Sequence, residues 1–277
     1  MDNRPIGFFD SGLGGLTCIP YLMKAMPDER IIYFGDTART PYGSKATSTI
    51  RSFSLEIADF LVRSNVKMIV IACNTVSATC LDLLREKFPK IPILGIIDPA
   101  AKAAAVNCNE NNHVGIIGTK VTINSGTYKS LISSYNSKLD IYEVACPAFV
   151  PLIEEGIIDN EIMDLTIKYY MDDFVYGNQL DTVILGCTHY PLIKKNIERI
   201  YPQLDIINPS SIIVSKIRKV LEEKGMLAQN SEFQNTFYAS DLSENFLNMI
   251  DHIFEDENAD AKVKFLNFDL ENGDRHI

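Results

Sequence analysis

Short apolar runs rich in β-branched residues recur along the chain and are separated by longer segments of mixed polarity. A short apolar run bounded by turn residues is typical of a buried strand, while apolar positions spaced three and four apart are typical of a helix. The strands predicted in this way are Ile6–Phe9, Ile31–Gly35, Met68–Ala72, Ile93–Ile96, Val114–Gly118, Ile141–Val144, Thr182–Leu185, Asp205–Ile207, Thr236–Ala239 and Val263–Leu266. The predicted helices include Ser48–Ser64, Val76–Phe88, Glu161–Phe174 and Ile212–Lys224.

Predicted strands and helices alternate along nearly the whole chain, which favours parallel α/β architecture. Two segments interrupt this alternation, Ile97-Asp98-Pro99 and Asn208-Pro209-Ser210-Ser211. Proline and small polar residues of this kind indicate crossings between structural units. We therefore expect two similar, doubly wound, mainly parallel α/β domains with the active site in the cleft between them. One domain would contain residues 1–98 and 210–277, and the other residues 99–209.

The composition argues against several classes of function. Hydrophobic residues make up 46% of the chain and charged residues 22%, as in a globular enzyme with a full core. No apolar run reaches the ~18 residues that a membrane span requires, so we expect no membrane partner. A predicted strand begins too early in the chain to leave room for a secretory signal, so we expect a cytoplasmic protein. The net charge is −10 and lysines and arginines do not cluster with aromatic residues, so nucleic-acid binding is not expected.

The chain has six cysteines and no Cys-x-x-Cys pair, and we expect all of them to be free thiols in a reducing compartment. Cys73 and Cys187 differ from the other four because each follows a predicted strand and is flanked by small polar residues. Ligands bind at the carboxyl ends of parallel strands. The pattern therefore predicts one thiol from each domain, facing a small substrate from opposite sides. The other four cysteines are expected to be small core residues.

Two loops that follow predicted strands carry groups suited to binding. In the first, Asp10 to Gly15, glycines would let backbone amides approach an anion, although the loop matches neither a Walker A motif nor a dinucleotide-binding fingerprint. A tight strand-to-helix turn is the alternative, and Asp10 favours a site. The second loop, residues 36–44, offers hydrogen-bond donors for a carboxylate. Its alternative is a surface turn that caps the following helix.

The residues next to the two cysteines can recognise an amino acid. Asn74, Thr75 and Thr188, with their backbone amides, can hold a carboxylate and an ammonium group. Helix N-capping is the alternative role for Asn74 and Thr75.

Both cysteines have a potential acid–base partner, which a thiol needs because its ordinary pKa of about 8.5 keeps it mostly protonated at neutral pH. His189 lies two residues from Cys187, and Asp10 can approach Cys73 across the strand ends. One carboxylate of the loop that ends in Glu154-Glu155 can orient His189. A solvated acid at a helix end is the alternative for both glutamates.

Several motifs occur in one order along the chain, and through them it resembles the glutamate racemases of the cofactor-independent aspartate/glutamate racemase superfamily over nearly its whole length. Each motif alone is a weak signal, and the combination is specific. The motifs are Phe9–Leu16, Asp36 with Pro41-Tyr42-Gly43, Ala72–Thr75, Gly118–Thr122, Pro147–Gly156 and Gly186–Pro191.

The resemblance implies interconversion of L- and D-glutamate without a cofactor or a metal, supplying D-glutamate for peptidoglycan, the cell wall and cell shape. It implies that Cys73 and Cys187 are the catalytic acid–base pair, on opposite faces of the substrate Cα. Asp10 would assist Cys73, and His189, held by Glu154, would assist Cys187. The substrate-binding residues that it implies are Asp10, Ser11, Pro41, Tyr42, Gly43, Asn74, Thr75, Thr119 and Thr188. A homodimer is the implied assembly.

Three other functions fit part of the pattern. An aspartate racemase, or another amino-acid racemase of the superfamily, would differ in pocket length, and one methylene is worth only ~1–3 kcal/mol of discrimination. A non-catalytic amino-acid-binding protein would leave the opposed cysteines unexplained. A zinc enzyme could use Cys73, Cys187, His189 and an aspartate as ligands, although their spacing resembles no compact zinc motif.

Overall fold

The computed structural model describes residues 1–108, 112–229 and 235–241, positions 247, 250 and 253–254, and the backbone of 263–268 and 275–276. The strands in this part of the chain are β1 (Ile6–Asp10), β2 (Ile31–Gly35), β3 (Met68–Ile71), β4 (Ile93–Gly95), β5 (His113–Gly118), β6 (Asp140–Ala145), β7 (Thr182–Gly186), β8 (Asp205–Ile207), β9 (Asn235–Ala239), β10 (Val263–Phe268) and β11 (Arg275–His276).

The α-helices connect these strands in chain order. They are α1 (Ile19–Ala25), α2 (Thr47–Arg63), α3 (Asn74–Thr79), α4 (Leu81–Lys87), α5 (Ile97–Asn107), α6 (Lys120–Asn124), α7 (Thr127–Tyr135), α8 (Phe149–Glu154), α9 (Glu161–Gly177), α10 (Lys194–Ile200) and α11 (Pro209–Glu223). Short 3₁₀ segments span Gly14–Cys18, Thr37–Arg39, Tyr42–Ser44 and Tyr190–Ile193. Among the helices that the structure describes, none has both the length and the apolar content to cross a bilayer.

The strands form two separate sheets with the same local order. The first sheet has the order β11-β10-β9-β2-β1-β3-β4, and the second has the order β6-β5-β7-β8. Every pairing is parallel except that of β10 with β11. In both sheets the order reverses beside the first strand of the unit, between β1 and β3 and between β5 and β7, and a crevice for ligands forms at such a point. The predicted fold of two parallel α/β sheets with flanking helices is confirmed.

The central strands are buried along their whole length, which explains their sequence pattern. All residues of β1, β2, β3 and β7 are buried. A parallel strand covered by helices on both faces has no solvent side, so it is apolar throughout rather than at alternate positions. This is why the apolar runs of the sequence locate these strands within one or two residues of their observed ends.

The chain passes from the first sheet to the second through α5 and returns through α11, and these two helices pack against each other. Helix α5 buries small side chains, Ala100, Ala101, Ala104 and Ala105. Small residues at a helix contact allow the helix axes to approach closely. The domain limits at residues 98 and 209 stay a prediction.

The structure differs from the predicted elements mainly where a helix begins or breaks. The helix predicted over Val76–Phe88 is two helices, α3 and α4, because Cys80 leaves the helical conformation with φ −127°. Neither glycine nor proline marks this break in the sequence. Both segments expected to punctuate the chain are helix starts: Pro99 lies in the first turn of α5, and Asn208 caps α11 by accepting a hydrogen bond from the Ser210 amide at 3.0 Å.

Candidate active site

The carboxyl ends of strands from both sheets converge on one cavity. The residues around it follow β1, β2, β3, β5 and β7 or lie on α8. They are Ser11, Thr40, Pro41, Tyr42, Gly43, Cys73, Asn74, Thr75, Thr119, Val150, Cys187, Thr188 and His189. The crevices of the two sheets therefore form a single pocket, and most of the residues that line it carry a polar side chain.

The two cysteines singled out in the sequence both line this cavity and are equivalent in the fold. Cys73 follows β3, and Cys187 follows β7, the corresponding strand of the second sheet. Their exposed fractions are 4% and 6%. The Cys73 thiol donates to Ser11 Oγ at 3.6 Å. Burial raises the pKa of Cys73 well above its ordinary value, and the nearby charge of Asp10 raises it further, so the neutral thiol is favoured.

His189 links Cys187 to Glu154. Its Nδ1 atom lies 3.9 Å from Cys187 Sγ, and its Nε2 atom lies 3.1 Å from Glu154 Oε1. Burial opposes a charge on the ring, but the hydrogen bonds to Cys187 and Glu154 outweigh it and raise the pKa of His189 to about 10. At neutral pH the ring therefore carries a proton within reach of the Cys187 sulfur.

Asp10 lies at the end of β1 and is fully buried. It accepts hydrogen bonds from the Gly12 amide at 3.1 Å and from Thr188 Oγ1 at 3.2 Å. Burial raises its pKa, while the positive charge of His189 acts in the opposite direction. In the described part of the chain Asp10 makes no hydrogen bond to Cys73, and the two interact through charge alone.

The loop of residues 36–44 lines the cavity with residues 40–43, although Ala38 and Ser44 are exposed at the surface. Tyr42 is only 1% exposed, and its hydroxyl donates to Asp36. Asp36 is fully buried and also accepts from Arg39 Nε at 2.7 Å and from Ser240 Oγ at 2.9 Å. The alternative of a helix-capping turn is wrong, because the residue before α2, Ala46, offers no capping side chain.

Asn74 and Thr75 lie inside α3, so the alternative that they cap this helix is wrong. Thr75 Oγ1 contacts Thr119 Oγ1 at 3.0 Å. Asn74 Oδ1 accepts a hydrogen bond from Tyr128 Oη at 2.7 Å, while Asn74 Nδ2 is buried without a partner. A buried donor without an acceptor is costly, so this amide nitrogen is a candidate to donate to an oxygen atom of a ligand.

The glycine loop after β1 supports the other half of the site. A Cβ atom on Gly14 would lie 2.5 Å from His189 Nδ1 and 2.6 Å from Thr188 Oγ1, so a side chain is excluded at this position. Thr17 Oγ1 contacts Ser210 Oγ at 2.8 Å and donates to the Gly14 carbonyl at 2.8 Å. It also lies 3.2 Å from the Thr188 carbonyl. These contacts hold the loop of Cys187 against the first sheet.

Most of the residues predicted for the site are brought together. Eleven of them line the cavity, and the other two, Asp10 and Glu154, contact lining residues directly. Sequence reasoning missed Thr40, which lines the cavity and donates to Glu154 Oε1 at 3.3 Å, and Val150, an ordinary apolar residue of α8. Thr40 precedes the Pro41-Tyr42-Gly43 motif, and that adjacency was the available signal.

All six cysteines are free. Within the ranges that the structure describes, no three His, Cys, Asp or Glu side chains are arranged to hold a metal ion. Both nitrogens of His189 are engaged, one by Glu154 and one by Cys187.

Comparisons with known proteins agree with one another. The family model of Asp/Glu/hydantoin racemases matches residues 17–217. A glutamate racemase of Sulfurihydrogenibium sp. is 48% identical over 225 residues, which are 80% of this chain and 85% of the relative. A glutamate racemase of Chlorobaculum tepidum is 44% identical over 231 residues, or 83% of this chain and 84% of the relative.

Similarity also extends to solved structures. The crystal structure of glutamate racemase from Francisella tularensis in complex with D-glutamate superposes with a TM-score of 0.89. It is 36% identical in sequence, and the match covers 98% of this chain and 99% of that one.

We expect Gly14→Ala to lower the free energy of unfolding by about 1–3 kcal/mol, because the new methyl group must displace His189 and Thr188. Chemical denaturation measures the change. Gly177→Ala is the matched control: nothing lies within 4 Å of a Cβ atom at this last residue of α9, so its stability should stay the same or rise. Equal stabilities for the two variants would contradict the close approach at Gly14.

His189 should make stability depend on pH. Its pKa rises from 6.5 to about 10 on folding, so below pH 6.5 both states hold the proton and the stabilisation is complete. As the pH rises from 6.5 towards 10, the unfolded chain loses its proton first and the stabilisation declines. The difference in unfolding free energy between the wild type and His189→Gln should therefore shrink over this range, by a few kcal/mol in order of magnitude. A difference that stays constant would contradict a charged His189.

Proposed function

The chain belongs to the Asp/Glu/hydantoin racemase family, and from this premise we propose that it interconverts L- and D-glutamate by proton transfer at Cα. It is an amino-acid racemase, an isomerase. The observation that carries the proposal is the placement of Cys73 and Cys187 at the ends of equivalent strands, in one cavity. A racemase needs an acid and a base at the two faces of one carbon atom, and two similar sheets supply one such group each.

The proposed reaction moves one proton off Cα and another onto it. The thiolate of one cysteine takes the α-proton and becomes a thiol, and the electron pair left at Cα is delocalised into the α-carboxylate. The thiol on the other face then donates its proton to Cα and becomes a thiolate, which inverts the configuration. The roles of Cys73 and Cys187 exchange with the hand of the substrate, so neither an oxidant nor a cofactor is consumed.

His189 and Asp10 assist these transfers in the proposal. His189, oriented by Glu154, holds a proton beside Cys187 and can return it to the sulfur. Asp10 lies near Cys73 and contacts Thr188, and its buried carboxylate is suited to the substrate ammonium. A bound ammonium would offset the cost of a buried negative charge.

The two carboxylates of glutamate require hydrogen-bond donors, and the cavity offers them on two sides. The α3 amides are one group, and they increase the acidity of the α-proton by stabilising the charge that develops on the α-carboxylate. The unpaired Asn74 Nδ2 lies beside them and adds a hydrogen bond that holds a carboxylate in place. The loop with Pro41, Tyr42 and Gly43 is the other group, beside Thr119. The remaining predicted binding residues, Ser11, Thr75 and Thr188, also line the cavity.

The wider role that we infer follows from this activity. We propose that the protein supplies D-glutamate for peptidoglycan synthesis, and so serves the cell wall and cell shape. We further propose a homodimer in the cytoplasm, with glutamate as its partner and neither nucleic acid nor membrane among its ligands. The six free cysteines support a reducing compartment.

The test of the reaction is incubation of L-glutamate with metal-free, pyridoxal-free protein in deuterium oxide. We expect optical rotation to be lost while deuterium enters Cα, as nuclear magnetic resonance would detect. A parallel incubation with aspartate separates the main alternative, an aspartate racemase. Glutamate that binds without any exchange at Cα would instead identify a non-catalytic binding protein.

Cys73→Ala and Cys187→Ala should each reduce racemisation by at least ~10²-fold, because each variant lacks one acid–base group. Cys80→Ala is the matched control, since Cys80 is equally buried but lies outside the cavity. Its turnover should stay near that of the wild type. Near-normal turnover in either Cys73→Ala or Cys187→Ala would exclude the two-thiol mechanism.

A further inference from the structure

A buried tyrosine outside the cavity contacts the binding residue whose donor is unpaired. Tyr128 lies on α7, which packs against α5, and its side chain is only 1% exposed. Its hydroxyl donates to Asn74 Oδ1 at 2.7 Å. Asn74 belongs to α3, so this hydrogen bond joins a helix of the second unit to a helix that carries part of the cavity wall.

The two ends of an asparagine amide differ in chemistry, and a rotation of 180° exchanges them. One end accepts hydrogen bonds and the other end donates them. Among the residues that the structure describes, Tyr128 Oη has no acceptor other than Asn74 Oδ1. If the amide turned over, the buried hydroxyl would lose its acceptor, at a cost of about 1–3 kcal/mol. The hydroxyl therefore selects one orientation of the amide.

In the selected orientation, Asn74 presents a donor to the ligand. Oδ1 is taken up by Tyr128, and Nδ2 is left buried without a partner on a residue that lines the cavity. We propose that Tyr128 is a positioning residue, which holds the donor end of the Asn74 amide towards a carboxylate of the substrate. This inference rests on the proposed function, because an anionic substrate is what makes the orientation matter.

Removing the hydroxyl should weaken substrate binding without touching the reacting atoms. In Tyr128→Phe the amide is free to turn, and its carbonyl oxygen would then face the substrate carboxylate. We expect the KM for both enantiomers of glutamate to rise about tenfold, with kcat within about twofold of the wild type. The reason is that an oriented hydrogen bond to a charged group is lost equally in the bound ground state and in the transition state.

A double-mutant cycle separates positioning from a general structural effect. In an Asn74→Ala background, Tyr128→Phe should change KM by less than about twofold, because the amide on which it acts is gone. Tyr201→Phe is the matched control. Tyr201 is fully buried and donates to Asp172 Oδ1 at 2.7 Å, but it does not line the cavity. Tyr201→Phe should lower the Tm by about as much as Tyr128→Phe does, and it should leave KM unchanged.

Three results would overturn the proposal. The first is an unchanged KM in Tyr128→Phe, and the second is the same rise in KM with and without Asn74. The third is a fall in kcat at constant KM, which would mean that the hydroxyl acts on Cys187 instead of on Asn74. Cys187 is a near neighbour: after burial, its charge is the second cause that raises the pKa of Tyr128. A wild type that does not racemise glutamate would refute the proposed function. In that case the role of Tyr128 would be tested by measuring the dissociation constant of D-glutamate by calorimetry in the same set of single and double variants.

Discussion

Parallel strands end together at one edge of a sheet, and this geometric constraint determines the rest of the molecule. Each sheet reverses its order beside its first strand, so each opens one crevice at its carboxyl edge. The two crevices face each other and share a single cavity. The sulfur atoms reach that cavity from equivalent strands, β3 and β7, and a pseudo-symmetric scaffold is therefore matched to a substrate whose two forms are mirror images.

The two halves of the cavity are nevertheless unequal in their electrostatics. Around Cys73, burial and the charge of Asp10 favour the neutral thiol, and Ser11 is the direct partner of the sulfur. Around Cys187, the protonated ring of His189 supplies a positive charge that Glu154 stabilises. A pair of identical thiols is thus held in two different electrostatic environments.

Local sequence patterns predicted the strands and the two cysteine motifs because both depend on a few adjacent residues. Apolar runs locate strands that are buried on both faces, and strand ends locate Cys73 and Cys187. The contacts of Thr17 with Ser210 and of Tyr128 with Asn74 join residues 193 and 54 positions apart, and no local pattern encodes them. The break at Cys80 was missed for a related reason, because neither glycine nor proline marks it in the sequence.

The packed pair of α5 and α11 has a mechanical consequence. The backbone leaves the first sheet through one of these helices and comes back through the other, so the covalent links between the two halves lie side by side. Elsewhere the halves meet through non-covalent contacts alone, as where the backbone of Gly43 lies against the side chain of Thr119. Two adjacent helical links restrict any relative movement of the halves to rotation about that pair, so the contact between Gly43 and Thr119 can open without straining a covalent connection.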